Sequence, residues 1–111
     1  MASQILTPSR RFNSRIESEG VWIFWWCNGF ADASRVRDLS LGGLFVETAR
    51  RAAVGSRAEV HFLVQEGQIH AEAVVRHVAP GSGLGLKITA LNDRNRPHLM
   101  ELMKRLRSLA R

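Results

Sequence analysis

Two short motifs contain the residue types in this chain that are best suited to binding a nucleotide. The first is Arg-x-x-x-Arg, formed by Arg11 and Arg15, and the second is Asp-x-Ser-x-x-Gly, formed by Asp38, Ser40 and Gly43. Guanidinium groups match phosphates and the O6/N7 edge of guanine. A carboxylate, a hydroxyl and a glycine add an acceptor, a donor and close access to the backbone. A guanine nucleotide that carries phosphates would use all of these groups at once.

The order and separation of the two motifs resemble the PilZ domain, a bacterial receptor module for the second messenger cyclic di-GMP. Neither motif is specific alone, because 14 of the 16 basic residues are arginine and Arg-x-x-x-Arg then arises by chance. The joint match is specific, since it combines both motifs with the sheet pattern described below and covers nearly the whole chain. The resemblance implies a non-enzymatic receptor that binds cyclic di-GMP and relays the signal to a partner protein.

In PilZ receptors an amino-terminal arm wraps over a β-barrel, and its arginines hold the ligand. By this resemblance, Arg11 and Arg15 would grip the phosphates and Hoogsteen edges of cyclic di-GMP. Arg10 directly precedes the first motif, and an arginine at that position of the family pattern is associated with a stacked pair of ligands. We therefore expect cyclic di-GMP to bind as a stacked pair, with Arg10 helping to hold the second molecule.

The second motif would recognise guanine. The resemblance implies that Asp38 accepts hydrogen bonds from the ring N–H and the amino group of a guanine, while Ser40 donates to a phosphate or a guanine acceptor. Gly43, with Gly42 beside it, would let the ligand approach the backbone without a clash with a Cβ atom.

Simpler explanations exist for both motifs. A basic arm can be solvated charge, and Asp38 and Ser40 could form a turn in which their side chains bond their own backbone. Two alternative functions follow. One is a basic nucleic-acid-binding β-barrel, supported by the net charge of +6, although the predicted sheet lacks exposed aromatic residues that alternate with basic ones. The other is an adaptor of the same fold that binds a protein and no nucleotide.

The periodicity of the chain predicts the elements that must position these motifs. From Arg15 onward, apolar residues recur at every second position between turn signals, and after Ala90 the period becomes helical. The predicted fold class is all-β with a C-terminal helix, arranged as a six-stranded antiparallel β-barrel. The predicted strands are 15–26, 34–40, 43–48, 57–65, 68–78 and 84–89, and the predicted helix is 95–110.

The first predicted strand is apolar on both faces. One face should line the core, and the other should lie under the helix or at a partner surface, because a row of large aromatic side chains is seldom left bare. The two faces are Val21, Ile23 and Trp25, and Trp22, Phe24 and Trp26. Asn28-Gly29 then predicts a tight turn with positive φ.

Length and composition indicate one domain, because 111 residues with 45% hydrophobic content can build a single core. We expect a flexible arm at 1–14 and a barrel with its helix at 15–111. The lone Cys27 cannot form an internal disulfide, which fits a reducing compartment. The apolar run 21–27 is too short to span a bilayer, and no secretory signal is recognisable. A cytoplasmic protein without membrane insertion is therefore predicted.

No catalytic set is recognisable in the sequence. Ser40 does not stand in a nucleophile elbow, because Asp38 occupies the position of the first glycine. The four histidines have no regular metal-ligand spacing. We expect no catalytic residues, no metal and no cofactor apart from the nucleotide ligand.

Overall fold

The fold was analysed on a computed structural model, which describes residues 16–17 and 20–109. It contains seven strands and one helix in chain order. The strands are β1 (Ile16–Glu17), β2 (Trp22–Cys27), β3 (Phe30–Leu39), β4 (Gly43–Glu47), β5 (Arg57–Phe62), β6 (His70–Ala79) and β7 (Gly83–Leu91), followed by helix α1 (Arg96–Leu109).

Six of these strands close into an antiparallel barrel. Their order is β3-β2-β5-β6-β7-β4, and pairing of β4 with β3 completes the ring. Closure leaves these strands without an unpaired edge that could template aggregation. The two-residue strand β1 adds to the ring by pairing with the end of β3. The predicted six-stranded barrel with a C-terminal helix is confirmed.

The predicted bounds of the first two strands were wrong. The long strand 15–26 is divided into β1 and β2, and Gly20, with φ of 78°, lies in the turn between them. The second strand begins at Phe30 rather than at 34, so β2 and β3 form a long hairpin. Its turn is the predicted Asn28-Gly29, and both residues have positive φ, at 50° and 83°.

The inner face of β2 lines the core, as expected. Ile23 and Trp25 are fully buried, and the indole N–H of Trp25 donates to the hydroxyl of Ser34 at 2.8 Å. This bond satisfies the polar atom of a large buried side chain. Cys27, at the end of the same strand, is also buried, and burial raises the pKa of its thiol.

Helix α1 packs its apolar stripe into the same core as the barrel. Its buried residues are Leu99, Leu102, Met103 and Leu106. Leu109 continues the same helical spacing at the end of α1 but is 68% exposed. Asn95 precedes the helix, and its side-chain oxygen accepts the backbone N–H of His70 at 2.9 Å, which ties the start of the helix to β6. No helix in the described part of the chain is long and apolar enough to cross a membrane.

The outer face of β2 is not covered by α1. Trp22, Phe24 and Trp26 remain between 36% and 46% exposed. Placement under the helix, the first of the two options for this face, is therefore wrong. The second option, a partner surface, is considered below.

Candidate functional site

The Asp-x-Ser-x-x-Gly motif forms the end of β3 and the tight turn into β4. Ser40 is almost completely buried, and its hydroxyl oxygen accepts the backbone N–H groups of Gly42 and Gly43 at 3.3 and 3.1 Å. The hydroxyl also donates to the carbonyl oxygen of Gly43 at 3.2 Å. Ser40 thus organises its own turn, which is the simpler of the two roles that its sequence context allowed.

Gly43 has a packing reason to be glycine. A Cβ atom at this position would collide with the backbone carbonyl oxygen of Leu86 on β7. Next to it, the carbonyl oxygen of Gly42 accepts the N–H of Ile88 at 2.8 Å. Gly43 therefore lets the β3–β4 turn approach β7 closely, and the bond from Ile88 to the Gly42 carbonyl connects the turn to that strand.

Asp38 lies beside this turn with an arginine next to it. The register between β3 and β4 shifts between Val36 and Asp38. The Arg37 Nε donates to the Asp38 Oδ2 at 3.1 Å, and the side chains are 55% and 13% exposed, respectively. The Arg37 guanidinium also lies 3.9 Å from the centre of the Phe45 ring, a favourable cation–π distance. This corner combines a largely buried carboxylate with an exposed, oriented guanidinium.

Arg37 is a candidate site residue that sequence reasoning missed. In a regular strand, neighbouring side chains point to opposite faces, so Arg37 would be assigned to the face opposite Asp38. Exposure still alternates here, with Arg37 exposed and Asp38 buried, but a register shift at this point coincides with a bond between the two side chains. The only sequence signal was the adjacency of the two residues, which does not by itself predict a bulge.

The strand β1 brings the amino-terminal sequence to this corner. Ile16 pairs with Leu39, and Glu17 pairs with Asp38. The structure therefore brings together Asp38, Ser40, Gly42 and Gly43, with Arg37 added. Arg10, Arg11 and Arg15, which complete the predicted set, lie outside the described residues, as does the predicted arm at 1–14.

A pair of histidines forms the main titratable cluster away from this turn in the part of the chain that the structure describes. Within residues 16–17 and 20–109, no three His, Cys, Asp or Glu side chains are grouped to hold a metal ion. The rings of His61 and His70 meet edge to face, with centroids 4.2 Å apart. Desolvation, followed by the nearby His70, lowers the pKa of His61. These two histidines belong to β5 and β6, away from the Ser40 turn.

Comparisons with known proteins agree with this geometry. A solved structure described as the PilZ domain with c-di-GMP of YcgR from Escherichia coli matches with a TM-score of 0.58 and 20% sequence identity, over 90% of this chain and 91% of that chain. At this identity the match establishes the fold. No curated protein sequence matches. The sequence profile of the PilZ domain matches residues 11–105, which include both motifs, the whole barrel and most of α1. Since this match covers far more than half of the sequence, the chain belongs to the PilZ domain family.

Proposed function

We propose that this protein is a receptor for cyclic di-GMP that binds the ligand at the β3–β4 turn. The observation that carries the proposal is the pairing of β1 with the end of β3. Arg15 is bonded directly to Ile16, and consecutive Cα atoms are about 3.8 Å apart. Because Ile16 pairs with Leu39, the first motif of the sequence ends within reach of the second.

Arginines supply the anion-binding half of the proposed site. Arg11 and Arg15 bind the phosphates and the guanine Hoogsteen edges, since a planar fork suits both groups. Arg37 adds a further guanidinium, which Asp38 and Phe45 hold in place. Arg10 binds the second molecule of a stacked ligand pair, because two stacked cyclic dinucleotides concentrate four phosphate charges.

The second motif supplies guanine recognition and a rigid turn. Asp38 accepts hydrogen bonds from the ring N–H and amino group of one guanine. Ser40 keeps its two bonds from Gly42 and Gly43, and turns its O–H from the Gly43 carbonyl to a ligand oxygen. The existing bond to that carbonyl is long, at 3.2 Å, so a phosphate oxygen is a competitive acceptor.

The output of such a receptor is a changed surface. Ligand binding draws the amino-terminal segment against the barrel, and an effector protein reads the new surface. We assign no catalytic role to the chain and place it in the cytoplasm, where a cyclic dinucleotide messenger acts.

The exposed aromatic residues of β2 favour one alternative function, a nucleic-acid-binding barrel. Trp22, Phe24 and Trp26 could stack bases. Their neighbours on β5 and β6 include the exposed Glu59 and Glu72, however, and two carboxylates repel a phosphate backbone. We therefore favour the nucleotide receptor.

Calorimetry tests the proposal directly. Cyclic di-GMP, cyclic di-AMP, GTP and cyclic GMP are titrated into the wild-type protein. We expect at least about tenfold preference for cyclic di-GMP over cyclic di-AMP, because adenine presents an amino group where guanine offers O6 to arginine. Equal affinity for the two cyclic dinucleotides would refute the assignment.

Two variants test the contribution of the first motif. Arg15→Ala should weaken cyclic di-GMP binding by about 2 kcal/mol or more, because it removes a charged partner of the ligand. Arg10→Leu should lower the stoichiometry from two ligands towards one. A ratio of one for the wild type would remove the stacked pair from the proposal and leave the receptor function standing.

A further inference from the structure

The outer face of β2 carries an exposed aromatic surface that the proposed receptor function does not use. Trp22, Phe24 and Trp26 point outward, and the rings of Phe24 and Trp26 meet edge to face with centroids 4.8 Å apart. Leu63 follows β5 beside Trp22 and is 56% exposed. Among the described residues, four of the eight large exposed hydrophobic side chains thus form one patch. Contiguous apolar surface of this kind marks an interaction site.

The strand register arranges this surface as a grid of nine residues, which we call the β2 patch. Phe24 is at its centre, with Ala33 of β3 on one side and His61 of β5 on the other. The three rows across the strands are Arg35, Trp22 and Leu63; Ala33, Phe24 and His61; and Ala31, Trp26 and Glu59. The two charged residues, Arg35 and Glu59, lie at opposite corners of this grid. The apolar residues Leu63 and Ala31 occupy the other two corners.

We propose that the β2 patch is an interface between two copies of this chain. A symmetric dimer pairs the same surface of both copies about a two-fold axis. Among the possible axes through Phe24 in the plane of the grid, four run along a row, a column or a diagonal of the grid. An axis along or across the strands places both Arg35 and Glu59 against apolar residues of the other copy. The diagonal axis through Arg35 and Glu59 brings like charges together.

The remaining diagonal passes through Leu63, Phe24 and Ala31, and it pairs opposite charges. Arg35 of each copy then lies over Glu59 of the other, so the interface contains two such pairs. Residues on a two-fold axis meet their own copies, and here all three are apolar. The patch is thus complementary in charge to itself, which identifies a second copy of the chain as its occupant.

The sizes of the side chains fit the same arrangement. The indole of Trp26 lies over Ala33 of the other copy, where the short side chain leaves room for it. Trp22 lies over His61, which already contacts Trp26 of its own chain edge to face. The strands of the two copies cross at a steep angle, and near-perpendicular crossing is one of the two preferred ways in which sheets pack.

The size of the patch predicts a weak dimer. Three strands and five residues along β2 measure about 14 by 17 Å. The patch covers about 240 Å² of each copy, well below the roughly 800 Å² per partner of a standard interface, so we expect a transient dimer with a dissociation constant of about 100 µM to 1 mM. Sedimentation velocity of the full chain, from about 10 µM to 1 mM and without nucleotide, covers that range.

The first test removes the centre of the patch. Phe24→Ser should raise the dimer dissociation constant at least about tenfold, because it truncates the buried aromatic on the symmetry axis. The control is Met100→Ser, which removes a more exposed apolar side chain from α1, at 53% against 36% for Phe24, and should change nothing. Circular dichroism confirms that both variants are folded. A wild-type chain that stays monomeric throughout, or a dimer indifferent to Phe24→Ser, would overturn the proposal.

The second test uses the charged corners. Arg35→Glu and Glu59→Arg should each weaken the dimer about tenfold, and the double variant should recover most of the wild-type affinity. Arg94→Glu, in the turn before α1, makes the same change in net charge as Arg35→Glu and should have no effect on the dimer. A double variant that binds no better than the single ones would contradict the diagonal arrangement. Because these measurements involve no nucleotide, their failure leaves the receptor function untouched.

Discussion

The two ends of β3 carry nearly the same group of residues in different settings. At one end Arg37 bonds Asp38 at 3.1 Å and lies 3.9 Å from the centre of the Phe45 ring. Near the other end Arg50 bonds Asp32 at 3.3 Å, and its guanidinium lies 4.9 Å from the centre of the Phe30 ring. Each group contains an arginine, an aspartate and a phenylalanine. Only the surroundings distinguish a candidate site from an ordinary surface ion pair.

Those surroundings differ in burial and in neighbours. The Asp38 side chain is 13% exposed, whereas that of Asp32 is 38% exposed. Asp38 lies beside the Ser40 turn and the strand β1, which leads to the amino-terminal arginines. Asp32 bonds the backbone N–H of its neighbour Ala33 and an arginine from the β4–β5 loop. The comparison teaches that an oriented ion pair becomes a binding site only where further ligand-binding groups converge.

The largest expected effect separates the two aspartates. Asp38→Ala should weaken cyclic di-GMP binding at least about thirtyfold, because a charged acceptor of the ligand is lost. Asp32→Ala should change it less than about twofold, since an exposed ion pair contributes little. Calorimetry measures both constants, with thermal unfolding as the check on folding. If the two variants bind alike, the pocket lies elsewhere.

The turn beside Asp38 should be structurally fragile. Gly43→Ala places a methyl group against the Leu86 carbonyl oxygen on β7, so the two strands must move apart. We expect a loss of about 2 kcal/mol in the free energy of unfolding, which is typical of overpacking. Urea denaturation measures this value. Unchanged stability would show that the turn adapts easily and that Gly43 is not required for packing.

A third arginine–carboxylate pair should affect stability without affecting the ligand. Arg105 of α1 holds Glu66 through two hydrogen bonds, one of them 3.1 Å from Nη2 to Oε1. Glu66→Gln should cost about 1 to 2 kcal/mol, because the bonds to a charged acceptor are weakened. Cyclic di-GMP affinity should be unchanged, in contrast to Asp38→Ala. A change in affinity would place the helix in the binding site.

The same pair predicts how stability depends on pH. The hydrogen bond from Arg105 lowers the pKa of Glu66 below its ordinary value of 4.5. As pH falls, the Glu66 carboxylate is therefore protonated at a higher pH in the unfolded chain than in the folded protein. The stabilisation present at neutral pH is lost as the pH falls to the lowered pKa of the folded state. Unfolding free energies at pH 7 and near pH 3 should differ more in the wild type than in Glu66→Gln. An equal difference in the two proteins would show that the bond between Arg105 and Glu66 does not cause this pH dependence.

The smallest expected effect concerns the two arginines. Arg37→Ala should weaken cyclic di-GMP binding about three- to tenfold, since Arg37 is exposed and its charge is partly screened. Arg50→Ala should leave the affinity within about twofold of the wild type for the same reason that Asp32→Ala does. Calorimetry at low salt gives the best resolution. Equal losses would mean that net charge, rather than position, attracts the ligand.

The sequence predicted most elements because alternation and helical period are local signals. The inner face of β2 and the buried stripe of α1 follow from the pattern of apolar residues, and the turn at Asn28-Gly29 follows from the preference of that dipeptide for positive φ. The break at Gly20 was missed, although the polar run between Ile16 and Val21 and the glycine itself are signals for it. The outward face of β2 could be recognised as apolar, but its exposure depends on where the helix packs.

The amino-acid sequence by itself determined the two motifs, the strand pattern and the terminal helix, and with them the family. Only the tertiary structure decided that β1 reaches the end of β3 and that Gly43 is held close to Leu86. It also decided that the register shifts between Val36 and Asp38, where the side chains of Arg37 and Asp38 bond each other. The physical reason is that these features depend on strand pairing between distant parts of the chain. Each strand's own pattern fixes which face is buried, but leaves open which neighbour it meets and where the register shifts.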